Sequence, residues 1–407
     1  VLLSAIGRDV RAGLWNSAYY AGWMQNDLPA QQIDFSAMTH VIHFAVVPRP
    51  DGSLDSDINA VTLANSTDVI ARAHAAGVKV LISVGGENSA SGFRGATSAA
   101  NRPRFITNIL NFARARGYDG VDLDWEPLEA ADAGLYTNLV NDLRAALDAL
   151  TPRPLLTAAV GSQPALLASL QRQFDQINLM TYSFSGAWPG WVTWFNSPIY
   201  DGGYRFPSTG QAAPSVDGVV SNFLANGVAA SKLGIGISFY GCVWSGGAGT
   251  STGGASRPRQ SWTTAPTVTD AAYSAIMSNY FQPQRYCWDT NAQAAYLCID
   301  VPESANDKFI SYDDERACRA KVAYANRVGL GGLIIWELGG GYRADQPAGQ
   351  RDLLLQSVKH ALATPSGVTN PSRRGSAPAS TSAPPPRSTT GSNELSDAGS
   401  AKTVRPH

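Results

Sequence analysis

Four cysteines in 407 residues are too few for a disulfide scaffold. Charge is scarce as well. Asp, Glu, Lys and Arg make up 15% of the chain, and their balance leaves a formal net charge of −1. Without a basic excess the chain lacks the electrostatic footprint of a nucleic-acid binder, and no such partner is expected. No apolar run is long enough to span a bilayer as a helix, so no membrane partner is expected either. His40 and His43 have no third ligand at metal spacing and are read as packed core histidines. What is present is an apolar fraction of 44%, in a chain longer than a bare barrel of typical size. Ten Trp and fifteen Tyr are many for such a chain, and exposed flat aromatics are what sugar C–H faces stack on.

The chain is organised around Gly117 to Pro127. Alternation there predicts a strand, with Asp122, Asp124 and Glu126 on one face and Val121, Leu123 and Trp125 on the other. Side chains two apart on a strand sit within about 7 Å, so three carboxyls in a partly dry site cannot all ionise. One keeps its proton near neutral pH, and a protonated carboxylic acid is a general acid. The competing reading is a hard-cation site, but the glycine-turned loop of the usual calcium site is missing.

Asp119, Asp122, Asp124 and Glu126 reproduce Asp-x-x-Asp-x-Asp-x-Glu, and the segment resembles the signature of family 18 glycoside hydrolases, the chitinase family. The resemblance implies an α/β fold, a (β/α)8 TIM barrel, with Glu126 as proton donor at the end of the fourth strand. Four further stretches resemble the family. Ser83-Val-Gly-Gly86 ends the third strand, with Ser83 a hydrogen-bond donor to Asp122. Met180-Thr-Tyr182-Ser183 ends the sixth strand, where the family usually has Asp in place of Ser183. Phe239-Tyr240-Gly241 ends the seventh strand and Trp336 ends the eighth.

Strand and helix patterns alternate along the rest of the chain, as a parallel α/β sheet requires. Strands are expected at 17–23, 39–47, 79–86, 154–160, 176–183, 232–241 and 329–337, besides the acidic one. Helical stripes are expected at 68–76, 103–116, 135–150, 315–327 and 353–362. Far more residues separate the seventh and eighth strands than a barrel loop needs. They predict a small α+β insertion at 243–311, with a mobile glycine-rich loop at 245–256, a helix at 270–281 and strands at 285–289, 294–299 and 308–312. The barrel is thus expected at 17–242 and 312–363, after an extension at 1–16 in which Val1 to Ile6 is compatible with the end of a leader. A Ser/Thr/Pro-rich tail at 364–407 is expected to be disordered. Cys287 and Cys298 lie on two arms of a candidate hairpin, compatible with a cross-strand disulfide in an exported protein or with free thiols.

The resemblance implies roles. Glu126 protonates the glycosidic oxygen, Asp124 holds the substrate's acetamido N–H, Asp122 shares a proton with Asp124, and Tyr182 positions the acetamido oxygen. Trp336 and Met180 form a dry floor, with Trp188, Tyr240, Ser83 and Ser183 completing the binding set. Trp188, Trp191 and Trp194 fall in one Pro/Gly-broken loop, where each either stacks on sugar or covers the rim. No metal or organic cofactor is implied. The expected partner is chitin or chito-oligosaccharides, cleaved by a secreted monomer with retention of configuration. Two alternatives stand beside this: a non-catalytic chitin-binding protein on the same barrel, and an endo-β-N-acetylglucosaminidase acting on N-glycans.

Overall fold

A computed structural model of the chain describes residues 13–364. Eight strands in it run parallel: β1 (Trp15–Ala21), β2 (His40–Pro48), β3 (Lys79–Gly86), β4 (Gly120–Trp125), β5 (Leu155–Val160), β6 (Gln176–Leu179), β7 (Leu233–Ser238) and, last in the chain, β13 (Gly332–Trp336). Neighbours in sequence pair around the ring, and β1 pairs with both β2 and β13, so the sheet closes into a barrel. The (β/α)8 expectation is met. Both faces of these strands are buried, which explains their near-continuous apolar runs.

Helices cover the outside: α1 (Leu63–Ala75), α2 (Ala90–Ala96), α3 (Arg102–Arg116), α4 (Ala133–Asp148), α5 (Pro164–Leu170) and α6 (Val216–Ala225). Their ends follow local chemistry. Thr62 and Ser215 accept main-chain N–H groups at the starts of α1 and α6, and α3 stops where Gly117 takes φ 84. On β4, Val121 and Leu123 face the helices. Trp125 lies flat on Phe93 of α2, ring centroids 4.5 Å apart.

Between β7 and β13 the chain builds a second sheet. Its strands are β8 (Tyr240–Ser245), β9 (Thr267–Ala272), β10 (Tyr286–Asp289), β11 (Ala294–Ile299) and β12 (Lys308–Tyr312), in the order β9-β8-β12-β11-β10 and all antiparallel. One helix, α7 (Tyr273–Asn279), accompanies it. Then α8 (Glu315–Val328), α9 (Leu338–Gly341) and α10 (Leu353–Ala363) complete the described elements. The second sheet starts at Tyr240, ahead of the expected boundary, because Tyr240–Ser245 pairs with β9 and β12.

Several expectations are corrected. Asp270–Ala272 is strand, not helix: it pairs with Tyr240–Cys242, and the helical run of small and apolar residues begins only at Tyr273. The sixth strand ends at Leu179, and Met180 to Ser183 leave the sheet. The glycine-rich loop is tied down: Gln260 Nε2 donates to Ser251 and Thr252, and Gly254 N–H donates to Asp307. Of the two readings left open for Cys287 and Cys298, the structure has free thiols. Cys287 lies opposite Tyr296 and Cys298 opposite Phe309, so the two are diagonal neighbours, farther apart than a disulfide spans. His43 is fully buried between Tyr118 and Asn65, and His40 meets Thr39 and Gln176, as expected of core histidines. Most of the expected N-terminal extension, and the tail beyond Thr364, lie outside the described residues.

Candidate active site

The acidic strand enters the barrel beside a backbone that could not be anything but glycine. A Cβ on Gly85 of β3 would stand 1.9 Å from the Asp124 carbonyl oxygen, and Gly85 has φ 120. This close approach lets Ser83 reach Asp122. The Asp122 carboxyl is completely buried and accepts three hydroxyls: Ser83 at 3.1 Å, Tyr19 at 3.0 Å and Thr157 at 2.5 Å. Burial pushes it up, the three donors pull it back, and the net shift is upward.

Asp124 and Glu126 lie one and two steps further toward the barrel mouth and are hydrogen-bonded to each other. Burial raises both, and Glu126 is pushed up to about 8, helped by the charge of Glu87. Asp124 is raised well above the usual carboxyl range, by burial first and then by the Glu126 and Asp122 charges. Burial holds both carboxyls above their usual range, so the pair does not carry two charges near neutral pH. Asp122 was expected to share a proton with Asp124. In the structure the Asp122 oxygens are taken by hydroxyls, and Asp122 acts on Asp124 through its charge. The other oxygen of Asp124, Oδ1, is buried and has no hydrogen-bond partner. An orphaned acceptor of this kind costs about 1–3 kcal/mol unless a ligand supplies a donor.

Tyr182 faces the acids. Its ring occupies the space that Gly236 leaves open on β7, where a Cβ would come within 2.6 Å of it. Burial, then the charges of Asp124 and Glu126, raise the phenol well above its usual value, so it stays a donor. Ser183 follows in the left-handed region at φ 58, and its hydroxyl meets that of Tyr240 at 2.5 Å. Trp336 is half-buried, with ring centroids 5.3 Å from Tyr19 and 4.7 Å from Phe44. Met180 packs in the same small cluster.

Three adjoining cavities trace a groove along Met180, Tyr182, Ser183, Tyr240 and Trp336. One of about 460 Å3 is lined by Trp23, Tyr240, Asp270, Trp336 and Tyr342. It shares Asp270 with one of about 360 Å3, at Ser183, Trp188 and Cys242. That one shares Ser183 and Trp188 with a third of about 350 Å3, at Met180, Tyr182, Trp191 and Phe206. A larger cavity of about 590 Å3 lies apart, between α8 and α10, and shares no lining residue with these three. In the loop, Trp188 and Trp191 line the groove and Trp194 is fully buried under it. All ten expected site residues thus surround the acids or the groove. The sequence reading missed Tyr19 and Thr157. Each stands on a strand buried on both faces, where alternation gives no signal.

The model of glycosyl hydrolases family 18 matches residues 16–341 of this chain. A probable endochitinase of Caenorhabditis elegans is 33% identical over 283 residues, 64% of this chain and 43% of that protein. Chitinase A1 of Niallia circulans is 33% identical over 299 residues, 65% of this chain and 40% of that protein. The chain therefore spans well under half of these two relatives. A Group IV chitinase of Ostrinia furnacalis, solved in complex with allosamidin, has the same fold, with a TM-score of 0.70 at 22% identity over 86% of this chain and 99% of that one.

Proposed function

This chain belongs to family 18 of the glycosyl hydrolases, and from that premise we propose that it is a chitinase, cleaving β-1,4 bonds between N-acetylglucosamine units with retention of configuration. The observation that carries the reading is the Asp124–Glu126 pair: two buried carboxyls at the end of one strand, with Asp124 Oδ1 an orphaned acceptor. Both project from one strand face, so they cannot flank the anomeric carbon as acid and opposed nucleophile. The substrate's own 2-acetamido group fills the second role.

Glu126 gives its proton to the glycosidic oxygen as the acetamido oxygen attacks the anomeric carbon and the C–O bond to the leaving sugar breaks. Asp124 Oδ1 accepts the acetamido N–H and steadies the resulting oxazolinium ring, and the Tyr182 hydroxyl steers the acetamido oxygen. Water then adds to the anomeric carbon, its proton returns to Glu126, and the ring reopens with the original configuration. Trp336 supplies the flat floor and Trp188 the far wall. Tyr19, Ser83 and Thr157 keep Asp122 fixed beneath the pair. The groove suits a linear polymer, and because an insoluble polymer cannot enter a cell, the proposal carries export with it.

The test is hydrolysis of a chitin oligosaccharide and a chromogenic chitobioside by wild type and by Glu126→Gln. Turnover by wild type alone, with the retained anomer appearing first by NMR, is expected. Initial formation of the opposite anomer would refute substrate assistance. Tight binding without turnover by the wild type would move the protein to the non-catalytic reading.

A further inference from the structure

We propose that Asn196 is a positioning residue that sets the acetamido-binding end of the site through Ser183, Tyr240 and Tyr182; the inference rests on the hydrolase reading above and deepens it. Asn196 is fully buried in the long segment between β6 and α6, and it touches none of the acids. Its side chain makes four hydrogen bonds. Nδ2 donates to Ser238 Oγ at 3.1 Å and to the Tyr240 carbonyl at 3.4 Å. Oδ1 accepts from Ser183 N–H at 3.1 Å and from Cys242 Sγ at 3.3 Å. Its main chain adds two more: Asn196 N–H donates to Ser311 Oγ at 2.9 Å, and Phe184 N–H donates to its carbonyl at 3.0 Å. The side-chain amide thus joins the segment after β6, the end of β7 and strand β8, and the main chain of the same residue adds β12.

The chemistry at this junction is narrow. Two acceptors lie on one side and two donors on the other, and a neutral primary amide matches both. A carboxylate could accept but not donate. The surroundings hold the amide in turn. Ser238 donates through its N–H and its hydroxyl to Asp313 Oδ2, and fully buried Lys321 pairs with Asp313 and also donates to Ser197.

What the junction controls is the backbone after Tyr182. Ser183 sits at φ 58, a conformation that a serine holds only when its surroundings insist, and its N–H bond to Asn196 is one of those constraints. From that position the Ser183 hydroxyl meets Tyr240, which in turn lines the groove beside Trp336. The ring of Tyr182, one residue earlier, is aimed at the acids by the same backbone. Loss of the amide would leave the groove in place and misplace the tyrosine hydroxyl. Ring closure to the oxazolinium depends on that hydroxyl more than ground-state binding does.

The experiment compares wild type, Asn196→Ala, Asn196→Asp and Ser238→Ala. It measures kcat and KM on a chromogenic chitobioside, Tm, and Kd for a disaccharide thiazoline, a stable mimic of the oxazolinium ring. Expected for Asn196→Ala is a loss of about 100-fold in kcat and in thiazoline affinity, with KM within about threefold. Asn196→Asp keeps the acceptor for Ser183 N–H and should recover about tenfold of that loss. Ser238→Ala removes one acceptor of Nδ2 and should show the same signature at about tenfold. Asn196→Ala that folds with kcat and thiazoline affinity within about threefold of wild type overturns the inference. So does equal impairment of the Ala and Asp variants in proportion to their lowered Tm. If Asn196→Ala does not fold, Ser238→Ala decides by its kcat-against-KM split. A wild type without turnover sinks the hydrolase reading while the thiazoline affinities still decide the role of Asn196. A wild type that neither turns over nor binds the thiazoline overturns both.

Discussion

Replacing Glu126 by Gln should make the protein inactive and, above neutral pH, more stable. The fold holds the Glu126 carboxyl at about 8 against 4.5 for the free group, chiefly by burial. A carboxyl raised in the folded state contributes no penalty while it is protonated in both states, below its unfolded value. As pH climbs from 4.5 to about 8 the unfolded chain ionises and the native one does not, and the native state loses ground. The loss is complete above the folded value and amounts to roughly 5 kcal/mol as an upper figure. Glutamine has nearly the same shape and never ionises. Its advantage over Glu should be near zero at pH 4.5 and should grow to its full size near pH 9. With an unfolding entropy of about 2.1 cal/mol/K per residue, that is roughly 6 °C in Tm for a chain of this length. Scanning fluorimetry of both proteins across this pH range reads the effect. A gap that is the same at both ends of the range, or a Gln variant less stable at the alkaline end, would refute the burial argument.

Three further outcomes follow from the same geometry. In a pH–rate profile of kcat/KM, the basic limb should fall about tenfold per pH unit above about 8, where Glu126 loses its proton; a limb that breaks below pH 6 would remove Glu126 from the acid role. Thr157→Val takes one of three hydroxyl donors from buried Asp122, and should cost about 1–3 kcal/mol in denaturant unfolding together with a drop in kcat; unchanged values of both would deny Asp122 its bracing. Ser183→Asp puts a negative charge near Glu126 and should move the basic limb upward, so an unmoved limb would show that Ser183 faces Tyr240 alone.

The acid site was legible because it is periodic. From Val121 to Glu126 large apolar side chains alternate with carboxyls, so face and chemistry are read from the same alternation. Ser83 could be placed because β3 and β4 are consecutive in chain and adjacent in space. Tyr19 and Thr157 could not, since they reach Asp122 across the barrel and from the neighbouring strand, and their own strands are apolar on both faces. Asn196 was invisible for another reason. It belongs to no strand or helix, and its partners come from segments up to 115 residues away. The failure at Asp270–Ala272 is one of local propensity. The stretch ends in two alanines that run into a helix, and only pairing with β8, which sequence does not display, makes it strand.

The two ends of the second sheet meet. Ser238, the last residue of a barrel strand, bonds through N–H and hydroxyl to Asp313, the first residue after β12, at 2.9 and 3.0 Å. The whole excursion between them is therefore a loop whose closure is already secured at its neck. Residues could be added to or taken from its far strands at little cost in chain entropy and without changing the ring of eight. How deep the groove runs is in this sense the adjustable dimension of the molecule. The distance between Glu126 and its neighbours on β4 is not.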